Sequence, residues 1–317
     1  MNRYRITHRT HYEYAQPVAL SHNECHLLPL ENEHQLCESA RLRILPQPQT
    51  RAERRDYFGN RVHYFALEKA HRKIEIVAES VVQRAVTARV PLDEAAQAVA
   101  AQNSPAWESA REAAAGPELA RFAYASPLIP DTAFDTPALQ EFVAPSFPTG
   151  RPLLEAAIDF NQRIFDSFEY DSGFSIIGTP LAKVLKHRKG VCQDFAHLFL
   201  AGLRSLGLAA RYVSGYLETK PPPGRPKLAG ADASHAWVSV WIPGSGDLPG
   251  GTWMDLDPTN RILAGNQHIV LACGRDYSDV TPLKGVIFGG GKHEVQVAVD
   301  VVPLNEQDEQ DNKDEQE

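Results

Sequence analysis

Cysteine and long hydrophobic runs are both scarce in this sequence, and each absence excludes a class of protein. The four cysteines lie far apart without a Cys-x-x-Cys pair, so neither a zinc cluster nor a dense disulfide framework is indicated. No stretch approaches the roughly 20 consecutive apolar residues that span a bilayer, and the first eight residues lack a signal peptide's apolar core. We therefore expect a cytoplasmic protein without a membrane segment.

The chain lacks the excess of positive charge that is typical of a dedicated nucleic-acid-binding protein. The formal net charge is -8 at pH 7, and residues 305–317 hold seven Asp or Glu against one Lys, so the rest of the chain is close to neutral. This run predicts a disordered, solvated acidic tail. With 43% hydrophobic and 23% charged residues, the chain has the composition of a folded soluble protein.

Hydrophobic patterns divide the chain into four regions. Residues 1–90 contain alternating segments such as Arg61–Leu67, which predict an N-terminal antiparallel β domain. In residues 91–150, Ala- and Glu-rich segments interrupted by prolines predict a helical connector. Residues 151–304 predict a second domain, with helices followed by an antiparallel sheet and C-terminal strands, and residues 305–317 form the tail. The predicted fold class is α+β.

Cys192 is placed at the start of one predicted helix. Apolar residues recur at helical spacing from Cys192 to Leu206, with Gly190 before the helix and Gly207 suited to its C-cap. At a helix N-terminus, unpaired backbone N–H groups and the helix dipole favour a negative thiolate. Taken alone, Cys192 also fits a small apolar core residue.

Two strands predicted downstream carry the partners that a cysteine nucleophile needs. In residues 233–242 the alternation sets His235 apart from the apolar face, where an imidazole can take the thiol proton and return it to a leaving amine. In residues 252–257, Asp255 and Asp257 lie on one face, and either carboxylate can hold the imidazole. His235 also fits a hydrogen-bonded sheet histidine, and the aspartates fit solvent-facing or turn-capping groups.

Four blocks of the sequence resemble the transglutaminase-like superfamily, in particular its bacterial branch with an N-terminal β domain. They correspond in order to the family's nucleophile helix, the strand after it, the base strand and the acid strand. The blocks are Gly190–Ala196, Leu206–Tyr216, His235–Val238 and Asp257–Thr259. Four blocks in the family's order are more specific than any one of them.

This resemblance assigns Cys192 as nucleophile, His235 as base and Asp257 as orienting acid, and it makes Asp255 the less favoured aspartate. The implied fold is a papain/transglutaminase-like core in which the nucleophile helix packs on an antiparallel sheet. The implied reaction is attack on an amide of a protein or peptide, through a thioester resolved by water or by an amine, without a cofactor. The indole oxyanion donor of animal transglutaminases has no obvious match, and Tyr170 is the nearest substitute.

Two other functions and several other sites stay open at this point. An arylamine acetyltransferase-like enzyme uses the same Cys, His, Asp order, and a non-catalytic peptide-binding module could keep the three residues in form only. His22, Cys25 and His26 suggest a metal site, but a strand position and the lack of a fourth ligand count against it. Asp194 and His197 either line the mouth of the cleft or face solvent.

Two segments rich in glycine and proline are interpreted as loops. Gly289–Gly291 lacks the Lys-Ser or Lys-Thr pair of a phosphate loop, so it predicts a flexible hairpin. The proline-rich segment 221–228 separates the nucleophile and base strands, where we expect it to border the substrate cleft.

Overall fold

The computed structural model describes residues 2–85, 104–113, 116–219, 233–244 and 250–304. The expected acidic tail, the expected cleft loop and the first part of the connector lie outside these ranges. Among the helices within them, none is long and apolar enough to cross a membrane.

The described part of the chain contains fourteen β-strands and seven α-helices. The strands are β1 (Asn2–Cys25), β2 (Gln35–Leu45), β3 (Thr50–Arg55), β4 (Arg61–Leu67), β5 (His71–Arg84), β6 (Glu169–Tyr170), β7 (Lys189–Gly190), β8 (Ala210–Leu217), β9 (Ala233–Ile242), β10 (Thr252–Asp257), β11 (Ile262–Leu263), β12 (His268–Gly274), β13 (Leu283–Gly289) and β14 (His293–Leu304). The helices are α1 (Trp107–Ala113), α2 (Pro117–Ala120), α3 (Asp131–Phe134), α4 (Pro137–Val143), α5 (Leu153–Ser167), α6 (Leu181–His187) and α7 (Cys192–Ser205).

β1 is the central strand of a seven-stranded antiparallel sheet. Its first half pairs with β5 and β14, its second half pairs with β4 and β13, and β2 and β3 extend the sheet. Tyr4, Ile6 and His8 are buried while Arg5 and Arg9 are exposed, so alternation covers one face of the sheet. The predicted N-terminal antiparallel sheet is confirmed, and the predicted final strand joins it.

The glycine run between β13 and β14 does not form the expected hairpin. Gly289 lies opposite Val18 and His293 lies opposite Tyr14, so both strands follow β1 in the same direction. All three glycines have positive φ, and a Cβ at Gly289 would lie 2.7 Å from the backbone oxygen of Pro17. The glycines therefore bend a continuing strand in a conformation that other residues rarely adopt.

The second part of the chain packs helices on a five-stranded antiparallel sheet of order β11-β10-β9-β8-β12. Phe195, Phe199 and Leu203 recur at helical spacing on α7 and are buried, and the ring of Phe199 lies 5.1 Å from that of Phe160 on α5. The helix ends just before Gly207, which has a φ of 76°. This arrangement confirms the predicted α+β fold, with the helix that begins at Cys192 packed on the sheet.

Two side-chain amides fasten the N-terminal sheet to the edge of the second sheet. Among the described strands, β12 pairs with β8 alone. The Gln35 amide donates to Val270 O at 2.7 Å and accepts from Val270 N at 2.9 Å. Asn60 makes the same pair of bonds with Cys273, both at 2.8 Å. These amides take the place of a neighbouring strand and satisfy backbone groups of the edge.

Arg204, near the end of α7, is buried and holds the connector against the helix. Its guanidinium donates to the backbone oxygens of Phe122 and Ala210, both at 3.0 Å, and to Ser126 Oγ at 3.1 Å. Burial lowers the pKa of Arg204 to about 10, although the neighbouring Asp276 charge favours the cation. A buried cation with this many acceptors fixes the position of the segments that it contacts.

Replacement of Arg204 by leucine is expected to lower the free energy of unfolding by about 3–5 kcal/mol, because buried Asp276 loses its cationic partner. Urea denaturation at pH 7 measures this change. Arg43→Leu on β2 is the control, since Arg43 is exposed and its loss is expected to change stability by no more than about 0.5 kcal/mol. Equal effects of the two substitutions would contradict this account.

Candidate active site

Cys192 is the first residue of α7 and is half-buried. Asp194 accepts from the backbone N–H of Val191 at 2.8 Å and from the Ser175 hydroxyl, so its carboxylate caps the helix. The Cys192 sulfur therefore lies at the positive end of the helix dipole, where a thiolate is stabilised. Asp194 and His197 are both buried, so the interpretation that they face solvent is wrong.

His235 lies on β9 with its imidazole against the ring of Trp237, at 6.1 Å and an interplanar angle of 29°. Its Nε2 lies 2.7 Å from Asp257 Oδ2, and Cys192 is near enough to raise the pKa of the imidazole. Since Nε2 faces the carboxylate, Nδ1 is the nitrogen left for the thiol. Gly215 lies opposite His235, and a Cβ there would lie 2.5 Å from Trp237.

Asp257, at the end of β10, is fully buried and accepts hydrogen bonds on both carboxylate oxygens. Oδ1 accepts from the backbone N–H groups of Thr259 at 2.9 Å and Asn260 at 3.2 Å. Besides His235, Oδ2 accepts from Asn260 Nδ2 at 2.7 Å and His268 Nε2 at 3.1 Å. With this many donors the carboxylate is held ionised and in one orientation.

The two aspartates that the strand period left equivalent have different partners. Asp255 Oδ2 accepts from the indole N–H of Trp237 at 3.2 Å, whereas Asp257 contacts His235. His235 and Asp257 therefore form a buried pair close to Cys192, and Asp255 holds the neighbouring Trp237. No described contact joins Asp255 to His235.

The charges in this series favour an imidazolium. Burial lowers the pKa of His235, but the Asp257 charge, the hydrogen bond that His235 donates to Asp257, and the nearby Cys192 raise the pKa to about 10. Burial raises the pKa of Asp257, but the His235 charge and the surrounding donors hold that pKa well below its ordinary value. A cationic imidazole beside a thiol at a helix N-terminus favours the thiolate.

His268, at the start of β12, is a buried contact of the site that the sequence patterns did not reveal. Its Nδ1 accepts from the backbone N–H of Gly265 at 3.3 Å, so Nε2 carries the proton that is donated to Asp257. Burial lowers the pKa of His268, although the hydrogen bond and charge of Asp257 oppose this effect. Its ring packs edge-on against Trp237 at 5.1 Å. A neutral His268 therefore orients Asp257 without competing for its charge.

Replacement of His268 by leucine is expected to lower the rate of Cys192 alkylation at pH 6 by about 10- to 100-fold, since a hydrogen bond to a charged group is worth about 1.5–3 kcal/mol. His268→Gln keeps an N–H group at the same reach and is expected to recover most of the rate. Far-UV circular dichroism verifies that both variants fold. A rate equally low in both variants would contradict a role through the donated hydrogen bond.

The residues of the suggested metal site are not gathered in one place. Cys25 and His26 are buried, His26 Nδ1 lies 3.1 Å from Thr281 O, and the exposed His22 contacts Tyr64 Oη at 2.6 Å. Within the described ranges, one group has spacing compatible with a cation: His235, Asp257 and His268. These side chains already contact one another at hydrogen-bond distances of 2.7 and 3.1 Å. The geometry favours proton-transfer chemistry over metal binding there.

Two tyrosines approach the thiol. Tyr170, on β6, is 56% exposed, and burial followed by the charge of Cys192 raises its pKa. Tyr212, on β8, is buried, and its pKa is raised well above the ordinary value by burial and then by Cys192. Both phenols therefore keep their protons, and the exposed Tyr170 is placed to donate a hydrogen bond to a bound molecule.

Two family models match this chain. Residues 4–83 match the model of the bacterial transglutaminase-like N-terminal region, and residues 142–258 match that of the transglutaminase-like superfamily. The second match includes Cys192, His235 and Asp257. Together the two matches cover most of β1 to β5 and the segment that holds these three residues.

Two relatives that match nearly the whole chain are both named as uncharacterized proteins. An uncharacterized protein of Mycobacterium tuberculosis (strain ATCC 25618 / H37Rv) is 43% identical over 305 residues, 96% of this chain and 93% of that protein. One of Mycobacterium leprae (strain TN) is 31% identical over 314 residues, 96% of this chain and all of that protein. The crystal structure of a "putative cysteine protease" from Cytophaga hutchinsonii has a TM-score of 0.73 at 19% identity, covering 96% of this chain and 91% of that one.

Proposed function

The chain belongs to the transglutaminase-like superfamily, and from this premise we propose that it is a cysteine acyl-transfer enzyme. Its proposed substrates are amides of proteins or peptides. The observation that carries the proposal is the 2.7 Å hydrogen bond between His235 Nε2 and Asp257 Oδ2, close to Cys192 at the start of α7. A thiolate, a cationic imidazole and a buried carboxylate are the groups that such chemistry needs. We propose the cytoplasm as its location.

In the proposed reaction, the Cys192 thiolate attacks the carbonyl carbon and forms a C–S bond. The His235 imidazolium gives its proton to the amide nitrogen as the C–N bond breaks, so an amine leaves and a thioester remains. Water or a second amine then attacks the thioester while His235 takes up the proton, and the C–S bond breaks to restore the thiolate. Asp257 holds the imidazole and stabilises its positive form in both steps.

The oxyanion that forms during each attack needs donors close to the Cys192 sulfur. We assign the first to the backbone N–H of Cys192, which is free at the helix N-terminus. We assign the second to the Tyr170 hydroxyl, because this exposed phenol is close enough to Cys192 for the thiol charge to raise the pKa of Tyr170. These two groups are the oxyanion donors that we propose.

We propose hydrolysis of the thioester rather than crosslinking. Two other functions are alternatives to this one. An arylamine acetyltransferase-like enzyme would accept an acetyl group from acetyl coenzyme A on Cys192. A non-catalytic peptide-binding module would bind peptides without forming a thioester. The charged geometry of His235 and Asp257 favours chemistry over binding alone, since a binding module has no need of a buried ion pair.

Incubation with a pool of glutamine- and asparagine-containing peptides tests the proposal. We expect intact-protein mass spectrometry after rapid acid quenching to show a peptide acyl adduct, and peptide mapping to place it on Cys192. Cys192→Ala should form no adduct, while Cys37→Ala should behave like the unchanged protein. An acetyl adduct with acetyl coenzyme A alone would favour the acetyltransferase. Peptide binding that Cys192→Ala leaves intact, without any adduct, would favour the binding module.

A further inference from the structure

Two consecutive isoleucines project into solvent beside the candidate active site. Ile176 is 81% exposed and Ile177 is 65% exposed, and no other large hydrophobic side chain in the described ranges is as exposed as Ile176. Single exposed apolar residues are common, but an adjacent pair near a candidate site suits a surface that a bound molecule covers.

The turn that carries these isoleucines is held firmly in place. The backbone N–H of Ile176 donates to Thr179 Oγ1 and that of Thr179 donates to Ile176 O, both at 3.0 Å. Gly178, between them, has a φ of 82°, which favours glycine. Phe174 anchors the preceding chain by packing on His187 at 5.6 Å. The isoleucines are thus displayed by a defined turn.

The same turn is attached to the nucleophile helix. Ser175, the residue before Ile176, donates its hydroxyl to Asp194, which lies two residues after Cys192. From bond geometry, this connection places Ile176 within roughly 15 Å of Cys192 along the protein surface. An extended peptide of about four or five residues spans that distance.

We infer that Ile176 and Ile177 bind an apolar side chain of the substrate, a few residues from the amide that Cys192 attacks. The inference rests on the proposed function and names its substrate class: an extended peptide segment with a large aliphatic or aromatic residue near the acyl-donor residue. The charged Lys183 is drawn to the ring of Phe174, 4.9 Å from its centroid, rather than to the isoleucines.

A second copy of the chain is the other candidate occupant, and the area of the surface argues against it. The two isoleucines and the exposed Tyr170 offer roughly 300 Å² of apolar surface, whereas a stable interface buries about 800 Å² on each partner. An area of this size suits one or two side chains of a bound peptide. The apolar surface of the isoleucines also lies near Cys192, where a substrate has to bind.

Matched peptides test the inference. Each peptide contains the glutamine that forms the Cys192 adduct. The two peptides of a pair differ at one position, two to five residues before or after this glutamine, where one carries leucine and the other serine. We expect a preference in kcat/KM for leucine on the order of tenfold at one or more positions, through KM. In Ile176→Ser/Ile177→Ser this preference should fall to near one. Val286→Ser/Phe288→Ser, an exposed apolar pair on β13, should retain it.

Two further measurements separate this inference from the proposed function. Iodoacetamide labelling of Cys192 requires no peptide contact, so a normal rate in the isoleucine variant shows an intact nucleophile. Peptide affinity for Cys192→Ala, measured by fluorescence anisotropy, tests the leucine preference even without turnover. Equal affinity for leucine and serine peptides, or a preference that survives the isoleucine substitutions, overturns the inference. A dimer that the substitutions dissociate, seen by light scattering, would assign the surface to a second copy instead.

Discussion

At pH 6, iodoacetamide is expected to alkylate Cys192 on the order of 10 to 100 times faster than Cys37 in the same folded protein. An ordinary thiol is only roughly 0.3% ionised at this pH, and Cys192 differs from one because it lies at the start of α7, near the positive His235 imidazolium. Cys37 has similar exposure, and burial raises the pKa of its thiol. Time-resolved peptide mapping by mass spectrometry measures both rates in one sample.

Removal of the imidazole should abolish most of this difference. We expect His235→Ala to reduce the alkylation rate of Cys192 towards that of Cys37, because the thiolate loses its positive neighbour. His34→Ala is the matched control, since the His34 side chain is 55% exposed and lies in the N-terminal part of the chain. Equal rates for the two cysteines in the unchanged protein would exclude an activated nucleophile.

Asp257→Asn is expected to reduce turnover of the trapped acyl donor by about 10³- to 10⁴-fold, as loss of the orienting carboxylate does in other triads. In this variant the side-chain amide would turn an N–H group towards the N–H group of His235 or of His268. Each of these N–H groups needs an acceptor, so one of the two hydrogen bonds would be lost. Asp255→Asn is the isosteric control on the same strand, and its effect should stay below about tenfold. A greater loss in Asp255→Asn would reverse the assignment of the two aspartates.

The same substitution should change how stability depends on alkaline pH. The pKa of His235 is raised in the folded protein, to about 10, so its contribution to the free energy of unfolding is fully present below about pH 6.5. That contribution is lost as the pH rises through the folded pKa. Urea denaturation between pH 6 and 10 should therefore show a decline in stability that Asp257→Asn largely removes. The same decline in Asp257→Asn would show that another group causes it.

The strand and helix assignments around the site followed from local patterns. Alternation predicted β8, β9 and β10 with the observed bounds, and helical spacing placed Cys192 at the first position of α7. Asp255 and Asp257 could not be separated by period, because a two-residue repeat places both on one face. The pairing register separates them: Asp255 lies opposite Ser239, so Asp257 is closer to His235 along the antiparallel pair.

Other parts of the site depend on contacts that no local pattern records. His268 reaches Asp257 because the chain passes from β11 to β12 across the end of the sheet, and this connection is visible only in three dimensions. Asp194 is different, because an acidic side chain three residues after a helix N-cap is a recognised capping signal. Helical spacing alone places Asp194 outside the apolar face of α7. In the structure, however, the turn that contains Ser175 covers its side chain.

The pairing of Arg3 with Leu304 joins strands that lie far apart in the chain. β1 leaves the ribosome before β13 and β14, so the edge of β1 that pairs with them stays open until they emerge. At about 5–20 residues per second, synthesis of the intervening chain takes roughly 15–60 s. During that time a nascent chain exposes an unpaired strand edge, which is prone to pair with other chains. Completion of this sheet therefore has to wait for the synthesis of β14.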